Sequence, residues 1–141
     1  MKRKASAVWT GNLKGGKGTI SAESGVLKEA RYSFSTRFED VAGTNPEELI
    51  AAAHAGCFSM AFSSELEKAG FTAEKIGTIA TVTIEKTDVG FTITAVHLDV
   101  SAKVPGMDQQ AFVAAANNAK AGCPVSRVLN AEITMDATLE E

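Results

Sequence analysis

The pattern of this chain predicts an α+β fold in the order βββ–α–ββ–α–α–β, with antiparallel sheets and one buried central helix. Three observations carry that prediction. Two long alternating segments, Lys75 to Lys86 and Phe91 to Val104, face each other across the turn Asp88-Val89-Gly90. A strongly capped, almost wholly apolar helix precedes them. The strands come in runs and do not alternate with helices, which excludes a doubly wound nucleotide fold. The 141 residues show no linker, repeat or low-complexity block and read as one domain, 1–141, with room for a real core.

The N-terminal third reads as strands. Ala5 to Trp9 and Lys17 to Ala22 flank a glycine-rich turn at Gly15-Gly16. Arg31 to Phe38 alternates, with Tyr32, Phe34 and Phe38 on one face and Ser33, Ser35 and Arg37 on the other, so it too reads as a strand. Thr44-Asn45-Pro46-Glu47-Glu48 then starts a helix: a capping side chain, a proline at the first helical position, and acids in the first turn. It should run to about Lys68, with Gly70 past its end. From Leu49 to Phe62 its apolar residues fall on every side, so it must be buried all round. One small domain covers such a helix poorly, and a wrapped homodimer covers it well.

In the following strands, Ile76, Ala80, Val82 and Ile84 share a face, as do Val96, Leu98, Val100, Ala102 and Val104. Asp108 caps a second helix ending near Gly122. Pro124 opens a short third helix, with Cys123 at its cap. The last strand turns Ile133, Met135 and Leu139 inward.

Composition excludes several functions. A net charge of −3 with scattered Lys and Arg is no nucleic-acid surface. No signal-length apolar stretch follows the basic start Met1-Lys2-Arg3-Lys4, and the run from Leu49 to Phe62 is too short to span a bilayer. The expectation is a soluble cytoplasmic protein, where a disulfide is transient rather than structural. Gly11 to Gly18 imitates a phosphate-binding loop, but Thr19 comes one place late and a strand follows in place of the required helix, so a hairpin turn is expected. His54, His97 and two cysteines lack zinc spacing, and no metal is expected. His97 shares a polar strand face with Asp99, which suits hydrogen bonding.

The two cysteines are the chemistry-bearing residues. Cys57 sits inside the apolar helix, where a sulfur is ordinarily inert packing. Cys123 sits at a helix start, which lowers a thiol's pKa and makes it a better leaving group from a disulfide. Their separation excludes a Cys-x-x-Cys motif. His54 and Cys57, three apart on one helix, are neighbours and admit a hydrolase dyad, which would need an oxyanion hole and an orienting third residue.

Five pieces of the chain together resemble the OsmC/Ohr family of organic hydroperoxide reductases, nearest its OsmC branch. They are Gly16-Lys17-Gly18-Thr19 with Glu23 to Leu27; Phe34 to Phe38 around Arg37; Gly43 to Ile50; Ala52 to Met60 around Cys57; and Lys120 to Ser126 around Cys123. Gly56 departs from the expected alanine. The resemblance implies an intertwined homodimer with active sites at the subunit interface. It implies that Cys57 is the peroxidatic cysteine, Cys123 the resolving one, and Arg37 and Glu47 the pair supporting the thiolate, with Glu48 the alternative to Glu47. No cofactor is implied beyond an external dithiol reductant of the lipoyl type. A hydroperoxide would oxidise Cys57 to a sulfenic acid, and Cys123 would condense with it. Burial alone would raise the pKa of Cys57, so it needs a cation, which Arg37 can supply. Phe58, Met60 and Phe62 are the expected apolar lining for an alkyl or aryl substrate. The competing reading is a dimeric binder of small molecules or lipids whose cysteines merely pack.

Overall fold

The computed structural model describes all 141 residues. The chain divides into two compact units, Met1–Leu49 and Ile50–Glu141.

In the first unit, β1 (Ala5–Thr10) pairs antiparallel with β2 (Lys17–Ala22), which pairs antiparallel with β3 (Ala30–Tyr32). The loop that imitates a phosphate cradle is a hairpin turn, closed by Gly16 N–H to Asn12 O at 2.8 Å and Gly15 N–H to Asn12 Oδ1 at 2.6 Å. A Cβ on Gly16 would collide with the Asn12 and Thr10 carbonyl oxygens, so the glycine serves the turn itself. Gly18 lets the rings of Trp9 and Tyr32 meet across the strands, with centroids 5.5 Å apart. Every residue of β1 is exposed.

The strand expected from Arg31 to Phe38 stops at Tyr32. Phe34–Phe38 is instead a one-turn helix, α1. The cause is a reciprocal cap: Thr36 N–H donates to Ser33 Oγ (3.2 Å) and Ser33 N–H to Thr36 Oγ1 (2.7 Å). These bonds satisfy the first-turn amides, and Phe34 stacks on Phe38 one turn later at 5.0 Å. The element order therefore gains a helix over the expected one, and Arg37 sits in a last helical turn rather than on a strand face.

The long helix α2 (Pro46–Lys68) starts and ends as its signals predict. Asn45 Oδ1 accepts from Glu48 N–H at 2.8 Å. At the other end Gly70 takes φ +89°, and Phe71 N–H reaches back to Leu66 O at 2.9 Å. Complete burial of α2 does not hold within one chain: Ala52, Ala53, Gly56 and Met60 are exposed, Met60 at 78%. By length and composition α2 could cross a membrane, which the shorter run from Leu49 to Phe62 could not. Its Phe58, Phe62 and Leu66 are, however, committed to the core of the second unit.

In that unit, β4 (Lys75–Thr87) and β5 (Gly90–Lys103) form the expected antiparallel pair, with a register shift at Thr83/Ile84. The strand β6 (Glu132–Glu140) pairs with β5 in parallel, from Ala95↔Glu132 to Lys103↔Glu140. Antiparallel pairing throughout is thus corrected at this edge. The helices α3 (Gln109–Gly122) and α4 (Pro124–Val128) lie between the two strands and carry the chain back to the starting end, as a parallel crossover requires. Asp108 caps α3 through Ala111 N–H at 2.8 Å.

The core of this unit joins Phe58, Phe62 and Leu66 of α2 to Val96, Leu98, Val100 and Ala102 of β5 and Phe112, Ala116 and Ala119 of α3. The Phe62 ring lies 5.7 Å from Phe58 and 5.3 Å from Phe112. Since it bridges α2 and α3, Phe62→Ala should destabilise the protein by about 3–5 kcal/mol, read from urea or guanidinium unfolding midpoints.

Candidate functional site

Cys57 and Cys123 come together in the second unit. Helix α2 presents Cys57 on a half-buried face, packed against the core, while Cys123 is fully buried at the junction of α3 and α4. Pro124 at the first position of α4 makes that junction abrupt, and Cys123 N–H still closes the last turn of α3 on Ala119 O at 2.8 Å. The two sulfurs are 3.2 Å apart, both as free thiols. That is hydrogen-bond distance for sulfur and leaves only a short approach to an S–S bond.

One proton between two sulfurs makes the thiols titrate as a pair. Burial pushes the Cys57 thiol up, with the neighbouring Cys123 adding to the rise against a partial pull from Val125 N–H. Burial also opposes ionisation of Cys123. It is outweighed by the backbone N–H of Ser126, the Cys57 thiol, the Ser126 hydroxyl and the Val125 N–H, so the Cys123 thiol lies below the ordinary range. The Cys123 side chain makes no formed capping hydrogen bond, so the pull of those amides is electrostatic. Within this unit the first negative charge therefore settles on Cys123.

His54 is completely buried on α2, one turn before Cys57. Its Nε2 lies 2.7 Å from Ser126 Oγ on α4, and its Nδ1 has no partner. The imidazole thus makes no bond to Cys57, and the Cys57–His54 hydrolase dyad lacks its central contact. Burial pushes the His54 pKa down.

Arg37 and Glu47 come together in the first unit. Arg37 Nε and Nη2 both donate to Glu47 Oε1, at 2.9 and 2.7 Å. The fork closes on one oxygen, and Glu47 Oε2 is buried without a partner. Glu48 turns away, exposed, to accept from Thr44 Oγ1 at 3.0 Å, so Glu47 is the arginine's partner. The Arg37 guanidinium also sits 5.1 Å from the Phe38 ring centroid. A cavity of about 250 Å³ opens beside it, lined by Trp9, Leu13, Tyr32, Phe34 and Phe38 with Arg37. The sequence grouped Tyr32, Phe34 and Phe38 on one face of an expected strand, but it did not join Trp9 and Leu13 to them or show a cavity.

The expected apolar lining is divided. Phe58 and Phe62 have no exposed surface within the chain, and Met60 faces outward. Away from the sulfurs, His97, Asp99 and Asp136 place one potential metal-ligand atom each within 4.8 Å of one another, on the exposed face of the sheet. His97 Nδ1 also meets Thr134 Oγ1 at 2.6 Å, the hydrogen-bonding duty its strand face suggested.

The family described as OsmC-like protein matches residues 38–138. The chain is 55% identical over 138 residues to peroxiredoxin OsmC of Escherichia coli (strain K12), covering 98% of this chain and 96% of that protein. Its identity to peroxiredoxin OsmC of Shigella flexneri is also 55%. Among solved structures, the organic hydroperoxide resistance protein OhrB of Bacillus subtilis superposes with a TM-score of 0.71 at 21% identity, covering 96% of this chain and 98% of that one. An OsmC-like protein from Mycoplasma pneumoniae gives 0.77 at 16% identity, covering 100% and 99%. At those identities the structures speak for the fold.

Two outcomes follow from the site's electrostatics. The Cys57 and Cys123 thiols should ionise in two separated steps, followed by absorbance near 240 nm; Cys123→Ala should leave Cys57 titrating lower than in the intact pair, because the neighbouring thiol raises it. The folded state also resists protonating His54, whereas the unfolded chain takes that proton near 6.5. This contribution to stability is complete above that pH and falls away below it, down to the lowered folded value. Denaturant midpoints should therefore drop as pH falls below that point, and His54→Gln should flatten that part of the curve.

Proposed function

The chain belongs to the OsmC-like protein family, and from that premise we propose that it reduces organic hydroperoxides to alcohols through its two cysteines. The observation that carries the reading is the 3.2 Å approach of Cys57 and Cys123 in a chain 55% identical to a peroxiredoxin. Exposure supports the roles proposed: a hydroperoxide can reach half-buried Cys57, while fully buried Cys123 awaits an oxidised neighbour.

The Cys57 thiolate attacks the terminal peroxide oxygen. The O–O bond breaks, the alkoxide leaves and takes a proton as the alcohol, and Cys57 becomes a sulfenic acid. Cys123 then attacks that sulfur. The S–S bond forms, the S–O bond breaks, and the thiol proton leaves with the hydroxyl as water. An external dithiol of the lipoyl type reduces the disulfide by two exchanges, with Cys123 the better leaving group because its thiol is the more acidic.

Arg37 is the cation this scheme assigns to the Cys57 thiolate and the peroxide, and Glu47 fixes its orientation. The aromatic cavity beside the guanidinium offers apolar surface to an alkyl or aryl group, which favours organic hydroperoxides over hydrogen peroxide. The family match crosses the boundary between the two compact units, which supports a single OsmC-like domain. The exposed stripe Ala52, Ala53, Gly56 and Met60 on α2, and a β1 strand exposed on both faces, support a homodimer that covers them. Two free thiols suit the reducing cytoplasm.

Purified protein should consume cumene hydroperoxide in the presence of dihydrolipoamide, and Cys57→Ser should abolish turnover. Cys123→Ser should stop the cycle at a sulfenic acid trappable by dimedone. Arg37→Ala should lower the rate of Cys57 oxidation by about 10²-fold or more, on the scale of a lost transition-state charge contact. Peptide mass spectrometry after one equivalent of hydroperoxide tests the whole reading; absence of a Cys57–Cys123 disulfide would leave a binding protein whose sulfurs only pack.

A further inference from the structure

His54 is the most buried polar side chain in the second unit, and the two-cysteine cycle does not use it. A fully buried imidazole with one nitrogen unpartnered is costly, because the orphaned atom has lost its water without gaining a partner. Its single bond, Nε2 to Ser126 Oγ at 2.7 Å, joins α2 to α4 across 72 residues of sequence. Ser126 occupies the third position of α4, and Cys123 is the N-cap of the same helix. Three residues apart across the first turn, their side chains are neighbours.

We propose that His54 is a positioning residue for the resolving thiol: it holds the Ser126 hydroxyl so that its one proton points at Cys123 Sγ. The inference rests on reading Cys57 and Cys123 as the redox couple. A serine hydroxyl has one proton, so if that proton is given to Cys123, the bond from His54 must be donated by Nε2–H. That tautomer leaves Nδ1 as a bare acceptor, the atom found without a partner. Burial keeps the imidazole neutral, so it orients the hydroxyl without adding charge beside the sulfurs. The Ser126 hydroxyl is among the groups that hold the Cys123 thiol below its ordinary range. The titratable groups of the cluster are His54 and Cys57 on α2 and Cys123 at the start of α4.

The device acts on two steps. When Cys123 attacks the sulfenic acid it must give up its proton, which leaves with the hydroxyl as water. When the dithiol later opens the disulfide, Cys123 leaves as a thiolate. In both, charge on Cys123 Sγ is stabilised by a hydroxyl already aimed at it.

The test separates titration from turnover. In protein carrying Cys57→Ser, Cys123 is the only thiol, and its ionisation is followed by absorbance near 240 nm and by the pH dependence of alkylation. Adding His54→Phe or Ser126→Ala should cut the thiolate share at neutral pH by about tenfold, one pKa unit. Adding His54→Gln, whose amide can present an N–H near the same place, should restore most of it. In protein with both cysteines, His54→Phe should lengthen the lifetime of the Cys57 sulfenic acid by a similar factor, slowing disulfide formation more than the oxidation step. Circular dichroism reports folding; if His54→Phe does not fold, the half-buried Ser126→Ala variant decides. An unchanged Cys123 titration in the folded variants, or a His54→Gln protein no better than His54→Phe, overturns the proposal. If the unmodified protein forms no Cys57–Cys123 disulfide with hydroperoxide, the two-cysteine cycle fails, and the single-thiol titration still decides the role of His54.

Discussion

Everything in the reactive half of this protein depends on one short contact, the 3.2 Å between Cys57 and Cys123. Two elements far apart in sequence must hold it. Helix α2 is locked by the Phe58, Phe62 and Leu66 stripe that it buries, and the α3–α4 junction is locked by Phe112, Ala116, Ala119 and the proline after Cys123. Neither sulfur needs to travel far to form a bond, and neither is bonded at rest. A packed core with little void resists displacement, so the couple is preorganised by the same burial that stabilises the unit.

That burial creates the electrostatic difficulty the rest of the chemistry answers. Inside an apolar helix the Cys57 thiol is pushed up, and the amides at the start of α4 draw the shared negative charge to Cys123. The first step of the proposed cycle needs the charge on the other sulfur. The proposed cycle assigns the reversal of that preference to Arg37 of the first unit, whose carboxylate partner binds it through one oxygen only. A guanidinium in that state is oriented, keeps donors for another acceptor, and cannot lose its charge.

Local chemistry was legible in the sequence, and long-range placement was not. The start of α2 could be read because Asn45, Pro46 and the first-turn acids act within one turn of backbone. The core face of β5 could be read because Val96, Leu98, Val100 and Ala102 alternate over a long span. Segment 31–38 misled because a few alternating residues fit either period. The deciding signal was Ser33 with Thr36, a cap that uses threonine where glutamate or glutamine is the familiar partner. The parallel pairing of β6 and the bond from His54 to Ser126 depend on contacts made only once distant segments meet. Arg37 shows the mixture: the sequence left its partner between Glu47 and Glu48, of which Glu47 makes the bond, and its supporting element is a helical turn rather than the expected strand.

The magnitude of the charge problem argues for the proposed division of labour. A unit charge about 4 Å from another is worth about 4 kcal/mol at an effective dielectric constant of about 20. That is about three pKa units. A cation brought that close to Cys57 would compete directly with the amide and hydroxyl contacts that favour charge on Cys123, and would draw the thiolate toward Cys57. Once the sulfenic acid forms, Cys57 is no longer ionised, and the contacts around Cys123 act unopposed on the sulfur that must react next. One proton and two unequal environments thus suffice to order the steps, without any side chain changing its role between them.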